Sequence, residues 1–146
     1  MYEFTIRCDG RSFLKVALLG RLNSGANDYW DGNWIRSAVD VQAGGFRGSV
    51  SGDLRIEELA SFFDQMSQLQ KSLRGIAEFE TMEAWLSIRV TGDGRGHMEC
   101  RCVIRDDPSI GNTLFDCTLA SDQTFTQATI TELAAAMQAF PVVGKP

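Results

Sequence analysis

Four cysteines and a single histidine are the side chains here with the widest reactive repertoire. A four-ligand zinc site needs closely spaced Cys and His, but Cys-x-x-Cys is absent and His97 stands alone, so no metal ligands are expected. Cys8, Cys100, Cys102 and Cys117 each fall in phase with the apolar residues of an alternating segment. That predicts buried thiols packing as small hydrophobes. His97 and Cys100 are three residues apart, and in a strand such residues point to opposite faces, so they form no local nucleophile–base pair. A Gly-x-Ser-x-Gly elbow is also missing. The sequence therefore nominates no catalytic, cofactor-binding or metal-binding residue.

Paired carboxylates occur at Asp28/Asp31, Glu78/Glu80 and Asp106/Asp107. Glu78 and Glu80 share one face of a strand opposite apolar residues, which reads as a solvated surface. Asp106-Asp107-Pro108 reads as a turn. Asp31-Gly32-Asn33 starts like a calcium loop but lacks the spaced ligands and closing Glu of an EF-hand. Gly44-Gly45-Phe46-Arg47-Gly48 and the glycines at 92, 94 and 96 match no phosphate-binding pattern and read as turns. The most distinctive stretch is Asp28-Tyr29-Trp30-Asp31-Gly32-Asn33-Trp34-Ile35. Its aromatics either pack over a core edge, with Asp31 and Asn33 bonding within a turn, or form an acidic, aromatic contact surface.

The 146 residues leave room for one core, and the expectation is a single domain over 1–146. With 44% hydrophobic and 23% charged residues the chain has an ordinary folded balance. No apolar run approaches the roughly 20 residues of a membrane helix, and the first residues lack a signal-peptide pattern, so a cytoplasmic location is expected. Net charge is −5. It is uneven: seven basic against six acidic residues over 1–55, then seven against thirteen over 56–146. Nucleic-acid binders carry basic patches, so direct nucleic-acid binding is disfavoured and a basic protein partner is favoured.

Alternation predicts eight strands. Their inward residues are Tyr2, Phe4, Ile6 and Cys8; Leu14, Val16, Leu18 and Leu22; Ile35, Val39 and Val41; a short Gly-rich run from Phe46 to Val50; Ala77 and Phe79; Leu86, Ile88 and Val90; Met98, Cys100, Cys102 and Ile104; and Phe115, Cys117 and Leu119. A hairpin around Gly92–Gly96 is expected to pair Thr91 with His97, setting Arg89 opposite Glu99 and Ser87 opposite Arg101. One helix is expected from Ile56 to Leu73, with Asp53 at its start and Gly75 as its stop. A second is expected over Ile130–Phe140, with Thr129 and Glu132 as a capping box. The order ββββα-ββββα suggests an α+β fold: an antiparallel sheet of about eight strands with two helices on one face. Similar runs at Ile56-Glu57-Glu58-Leu59-Ala60 and Ile130-Thr131-Glu132-Leu133-Ala134 raise an internal duplication, which requires the same strand order in both halves.

The stretch Asp31-Gly32-Asn33-Trp34-Ile35 resembles the Asp-x-Asn-Trp-Leu stretch of WapI-type bacterial immunity proteins. The resemblance continues through the Phe62–Leu73 helix, Glu83-Ala84-Trp85-Leu86, Gly94-Arg95-Gly96-His97, and Leu114-Phe115 leading to Asp122-Gln123-Thr124-Phe125. It covers about residues 28–140. Ile35 replaces the family's Leu, and Thr126 stands where an apolar residue is frequent. The resemblance implies a non-enzymatic cytoplasmic protein without a cofactor that binds and blocks a cognate toxin, often a nuclease domain. Candidate contacts are Asp28, Trp30, Asp31, Glu78, Glu80, Asp106 and Asp107. The competing expectations are a small-ligand or enzymatic domain with a pocket between sheet and helices, and a homodimeric structural module.

Overall fold

A computed structural model describes all 146 residues. The chain runs β1 (Tyr2–Arg7), β2 (Phe13–Arg21), a one-turn α1 (Tyr29–Gly32), β3 (Trp34–Ala43), β4 (Phe46–Arg55) and α2 (Ile56–Ser72). Then follow β5 (Arg74–Glu80), β6 (Leu86–Asp93), β7 (His97–Arg105), β8 (Thr113–Asp122) and α3 (Gln123–Ala139). The expected α+β class is present, and so is the ββββα-ββββα order apart from the one-turn α1 between β2 and β3, but the expected single sheet with two helices on one face is not. The eight strands are divided between two four-stranded antiparallel sheets, β1-β2-β3-β4 and β5-β6-β7-β8. Strand order is the same in both halves, as the duplication reading requires.

Alternation builds both sheets. Phe4, Ile6, Leu14, Val16, Leu18, Ile35, Val39 and Val41 on the first, and Ala77, Phe79, Leu86, Ile88, Val90, Cys100, Cys102 and Ile104 on the second, are all buried. They join Ile56, Leu59, Phe62, Met66 and Leu69 of α2 and Leu133 and Ala136 of α3 in one continuous core of 27 residues. Several details leave this pattern: β4 runs from Phe46 to Arg55 rather than ending near Val50, and Phe115 and Cys117 are only half-buried. Tyr2 is exposed, with its ring edge-on to Phe140 at 5.9 Å. A bulge between Leu18 and Gly20 shifts the phase of β2, so Leu22 lies beyond the strand at a surface cleft.

The helices are exchanged between the halves. α2 ends the first half yet packs along β5, and α3 ends the second half yet packs along β1. The α3–β1 seam explains a correction at Thr129 and Glu132. α3 begins at Gln123, two turns earlier than expected, with Asp122 as its cap accepting hydrogen bonds from the amides of Thr124 and Phe125. Thr124, Thr126 and Thr129 weaken the local helical signal, and two of these three are buried. Thr129 and Glu132 cap nothing. The Thr129 hydroxyl donates to the Thr5 carbonyl at 2.6 Å, and the Thr5 amide donates to Glu132 at 3.1 Å. The exposed edge of β1 is thereby occupied by side chains rather than left as a pairing template. Arg7 adds a two-pronged bond to the same carboxylate at 2.9 and 3.0 Å.

Helix α2 also ends differently from expectation. Gly75 lies inside β5, and the stop is Leu73, held at φ 60° with its amide donating to the Leu69 carbonyl. Gly94 donates to the Leu73 carbonyl, and a Cβ on Gly92 would sit 2.4 Å from that oxygen, so the helix end requires glycine at 92. Asp53 is a residue of β4 and does not cap the helix; Arg55 occupies the position before its first turn.

The β6–β7 register is shifted by two residues from expectation. Thr91 pairs with Glu99, Arg89 with Arg101 and Ser87 with Val103. Asp93 causes the shift: its carboxylate accepts from the amides of Arg95 and His97, closing a shorter turn centred on Arg95. The facing arginines are drawn to outer strands, Arg89 to Glu78 at 2.8 Å and Arg101 to Asp116 at 2.9 Å.

Replacing Thr129 with the near-isosteric Val removes the bond to the Thr5 carbonyl and should cost about 1 kcal/mol. Urea denaturation measures the loss. Faster hydrogen exchange at the neighbouring Thr5 amide would place it at the seam.

Candidate partner-binding site

The aromatic stretch at 28–35 folds into a socket. Asp28 caps the single turn of α1 by accepting from the Asp31 amide at 3.0 Å. Asn33 follows, fully buried, and its side-chain amide donates to the carbonyls of Tyr29 and Val143, each at 2.9 Å. Its side-chain oxygen accepts from the Val143 amide at 2.9 Å. One side chain thus closes α1 and pins the segment after α3. Gly32 is required beside it, because a Cβ there would meet Val143 at 2.6 Å and the Ala26 carbonyl at 2.8 Å.

Arg55, at the end of β4, enters the same socket and is 1% exposed. It donates to the carbonyls of Trp30 and Tyr29, each at 2.7 Å, and forms a short ion pair with Glu57. Its guanidinium lies over the rings of Trp34, Tyr29 and Trp30 at 4.9, 5.4 and 5.7 Å. A buried charge needs this completeness of pairing to be tolerated. Asn33 and Trp34 hold the fold, while Trp30 remains 58% exposed and Asp31 exposed.

Next to the socket lies an open cleft of about 620 Å³. Trp34, Val50–Asp53 of β4, the β5–β6 turn with Met82, Glu83 and Trp85, and Arg105–Pro108 from the end of β7 onward line it. Trp85 joins the two sheets there: its indole N–H donates to the Asp53 carbonyl at 3.0 Å, and its ring occupies the space a side chain on Gly52 would fill. Asp106 and Asp107 stand on the rim. Asp106 accepts from the Asp107 amide, and the Ser109 hydroxyl and amide hold Asp107 below the usual carboxylate range. Asp53, Glu83 and Trp85 belong to this cleft although the sequence reading did not place them there. Their proximity depends on how the two sheets meet, which alternation within one strand cannot reveal.

The remaining candidates lie elsewhere. Glu78 and Glu80 project from β5, Glu78 being tied to Arg89 and Glu80 lying near Glu58 at the start of α2. The seven candidate residues are thus spread over the α1 turn, the outer face of β5 and the cleft rim. His97 is exposed, whereas Cys100 is buried on the opposite face. Burial pushes the Cys8 thiol up to about 11 and Cys102 to about 12, and raises Cys100 strongly as well, so these three remain protonated at neutral pH. No three His, Cys, Asp or Glu side chains converge as a metal site.

Two interlocked ββββα halves, an acidic cleft and protonated core thiols describe a scaffold with its distinctive chemistry on the outside. A family model described as "Immunity protein WapI-like family" matches residues 5–141, and the chain belongs to that family. Among solved structures, the chain is similar in fold to one titled "Structure of the plant transcriptional regulator PBF-2". That match has a TM-score of 0.54 at 12% identity, covering 94% of this chain and 81% of the other. No curated protein matches in sequence.

Replacing Arg55 with Met strands the Glu57 carboxylate and two carbonyls, and should cost about 3–5 kcal/mol in urea denaturation. Glu58 gives a pH test. Burial first, and Glu57 second, hold its carboxyl above the ordinary range, against the opposing pull of Arg55. The folded chain therefore binds this proton more tightly than the unfolded chain, and stability falls as pH rises from the unfolded pKa through the folded one. Glu58→Gln should raise the thermal midpoint at neutral pH, with the gain shrinking towards about pH 4, where the unfolded carboxyl is itself largely protonated.

Proposed function

We propose that the chain is a non-enzymatic immunity protein that neutralises a cognate toxin by covering its basic active site and excluding the toxin's substrate. Family membership across residues 5–141 carries this reading. The charge distribution supports it, since the excess of acid over 56–146 suits a partner with a basic surface, such as a nuclease domain whose cleft is built to hold phosphates. Asp106 and Asp107 on the cleft rim, Asp28, Trp30 and Asp31 on the α1 turn, and Glu78 and Glu80 on β5 are the proposed contacts. An exposed aromatic among acids has the composition of an interface anchor, in which the ring supplies buried area and the acids supply orientation and encounter rate. The proposed site of action is the cytoplasm, where the toxin's substrate would be met.

Co-expression with toxin domains encoded beside this chain's gene tests the proposal. Growth should be restored with one of them, and the two proteins should co-purify as a complex that dissociates at raised salt. Failure to protect against every neighbouring toxin domain would overturn the reading.

A further inference from the structure

We infer that the cleft between β4, the β5–β6 turn and the β7–β8 loop is the docking surface for an extended, lysine- or arginine-bearing segment of the protein partner, which adds to the free edge of β4. This rests on the binding role proposed above and gives it a location and a mode.

The first argument is charge. Five charged residues line the cleft, and four of them, Asp53, Glu83, Asp106 and Asp107, are acidic. None of these four takes part in any of the molecule's five ion pairs, which engage Glu132, Asp40, Glu57, Glu78 and Asp116 instead. The lone cation, Arg105, donates to the Ala84 carbonyl at 3.2 Å. With four carboxylates against one guanidinium the concavity keeps a net negative field, which low-dielectric walls concentrate.

The second argument is the backbone. β4 pairs only with β3, so no strand covers its other edge, on which only the Asp53 carbonyl is taken, by the Trp85 indole. The Asp53 carbonyl faces that edge, because it accepts from the Trp85 indole. The N–H and C=O of one residue point to the same side of a strand and alternate along it, and the β3–β4 register is unbroken, so Ser51 also presents its N–H and C=O to that edge. Residues 50–53 line the cleft, which brings this edge and the carboxylates together. Natural edge strands are commonly guarded by charged side chains, Pro or a bulge; β4 has no Pro or bulge, and its charges lie at Arg47, Asp53 and Arg55, leaving Gly48–Gly52 without one. Strand addition draws affinity from such main-chain bonds and specificity from pockets for alternate side chains.

The third argument is the cleft lining. The half-buried indoles of Trp34 and Trp85, with Val50, Met82 and Leu114, give an apolar surface beneath an acidic rim. Lysine and arginine fit that combination, since their aliphatic stems pack on apolar surface while the charged head reaches the carboxylates.

The test uses a short fluorescein-labelled peptide of alternating lysine and valine, with a glutamate–valine peptide as its control. Saturable, salt-sensitive anisotropy is expected for the lysine peptide alone, with amide shifts confined to Ser49–Asp53, Glu83 and Asp106–Asp107. The D106N/D107N variant should bind about tenfold more weakly, as expected for loss of complementary charge. The E3Q/E99Q variant, which removes the same charge from exposed sites elsewhere, should bind like the parent. Ser51→Pro, which deletes one free-edge N–H while leaving the β3 pairing intact, should also weaken binding. Absence of saturable binding, shifts scattered over the surface, or equal losses in the two double variants would overturn the inference. Against a toxin that the parent neutralises, loss of protection by D106N/D107N supports the cleft. Full protection by that variant refutes the cleft while the neutralising role stands. Peptide binding at the cleft by a parent that protects against no toxin refutes the role instead.

Discussion

Everything in this molecule hangs on the exchange of helices between its two halves. A four-stranded sheet has one apolar face to bury and two edges to protect, and each half relies mainly on the other's helix, although Phe62 of α2 also reaches Phe4 of β1. α3 covers β1, α2 lies along β5, and the two inner faces close on a single core. The exchange converts two incomplete layers into one structure. It also fixes where the sheets meet at the other end, where Trp85 bonds to β4 and the cleft opens. The geometry of the cleft is therefore a consequence of core packing, although no core residue lines it.

Polar residues are used here with economy. Asn33 closes α1 and holds the segment after α3 through three hydrogen bonds, and Arg21 ties the same two segments through the Gly32 and Pro141 carbonyls. Arg55 satisfies two carbonyls and a carboxylate while stacked among three aromatic rings. These contacts explain why Asp-Gly-Asn-Trp occurs as a unit: Gly32 gives the space, Asn33 the clasp and Trp34 a ring beneath the guanidinium. The family resemblance in this stretch is thus anchored in folding. The cleft lies beside the socket, and Trp34 contributes to both.

Local periodicity made most of the fold legible. Strands such as Leu86-Ser87-Ile88-Arg89-Val90 and the apolar stripe of α2 announce themselves because one period matches one buried face. The misplaced details arise where a residue serves a distant partner. Thr129 and Glu132 have the spacing of a capping box, but they serve an edge strand more than 120 positions away. The hairpin register turned on the Asp93 carboxylate closing the turn, which the glycine pattern alone does not determine. Leu73 adopts the left-handed conformation that the sequence suggested for a glycine. Of the candidate contacts, Asp106 and Asp107 were visible as an acidic turn. Their company with Asp53, Glu83 and two indoles was not, because it arises only when two separate sheets are brought together.

The seam between β1 and α3 also sets the order in which the molecule can mature. β1 precedes α3 in the chain by more than a hundred residues, but the side chains that satisfy its outer edge belong to α3. Until that helix arrives, the first sheet carries an open pairing edge and a partly uncovered apolar face. Loop-closure entropy must be overcome before such distant contacts repay it, which favours slow, late consolidation over stepwise assembly. An open pairing edge of this kind is the aggregation-prone feature of an incomplete fold.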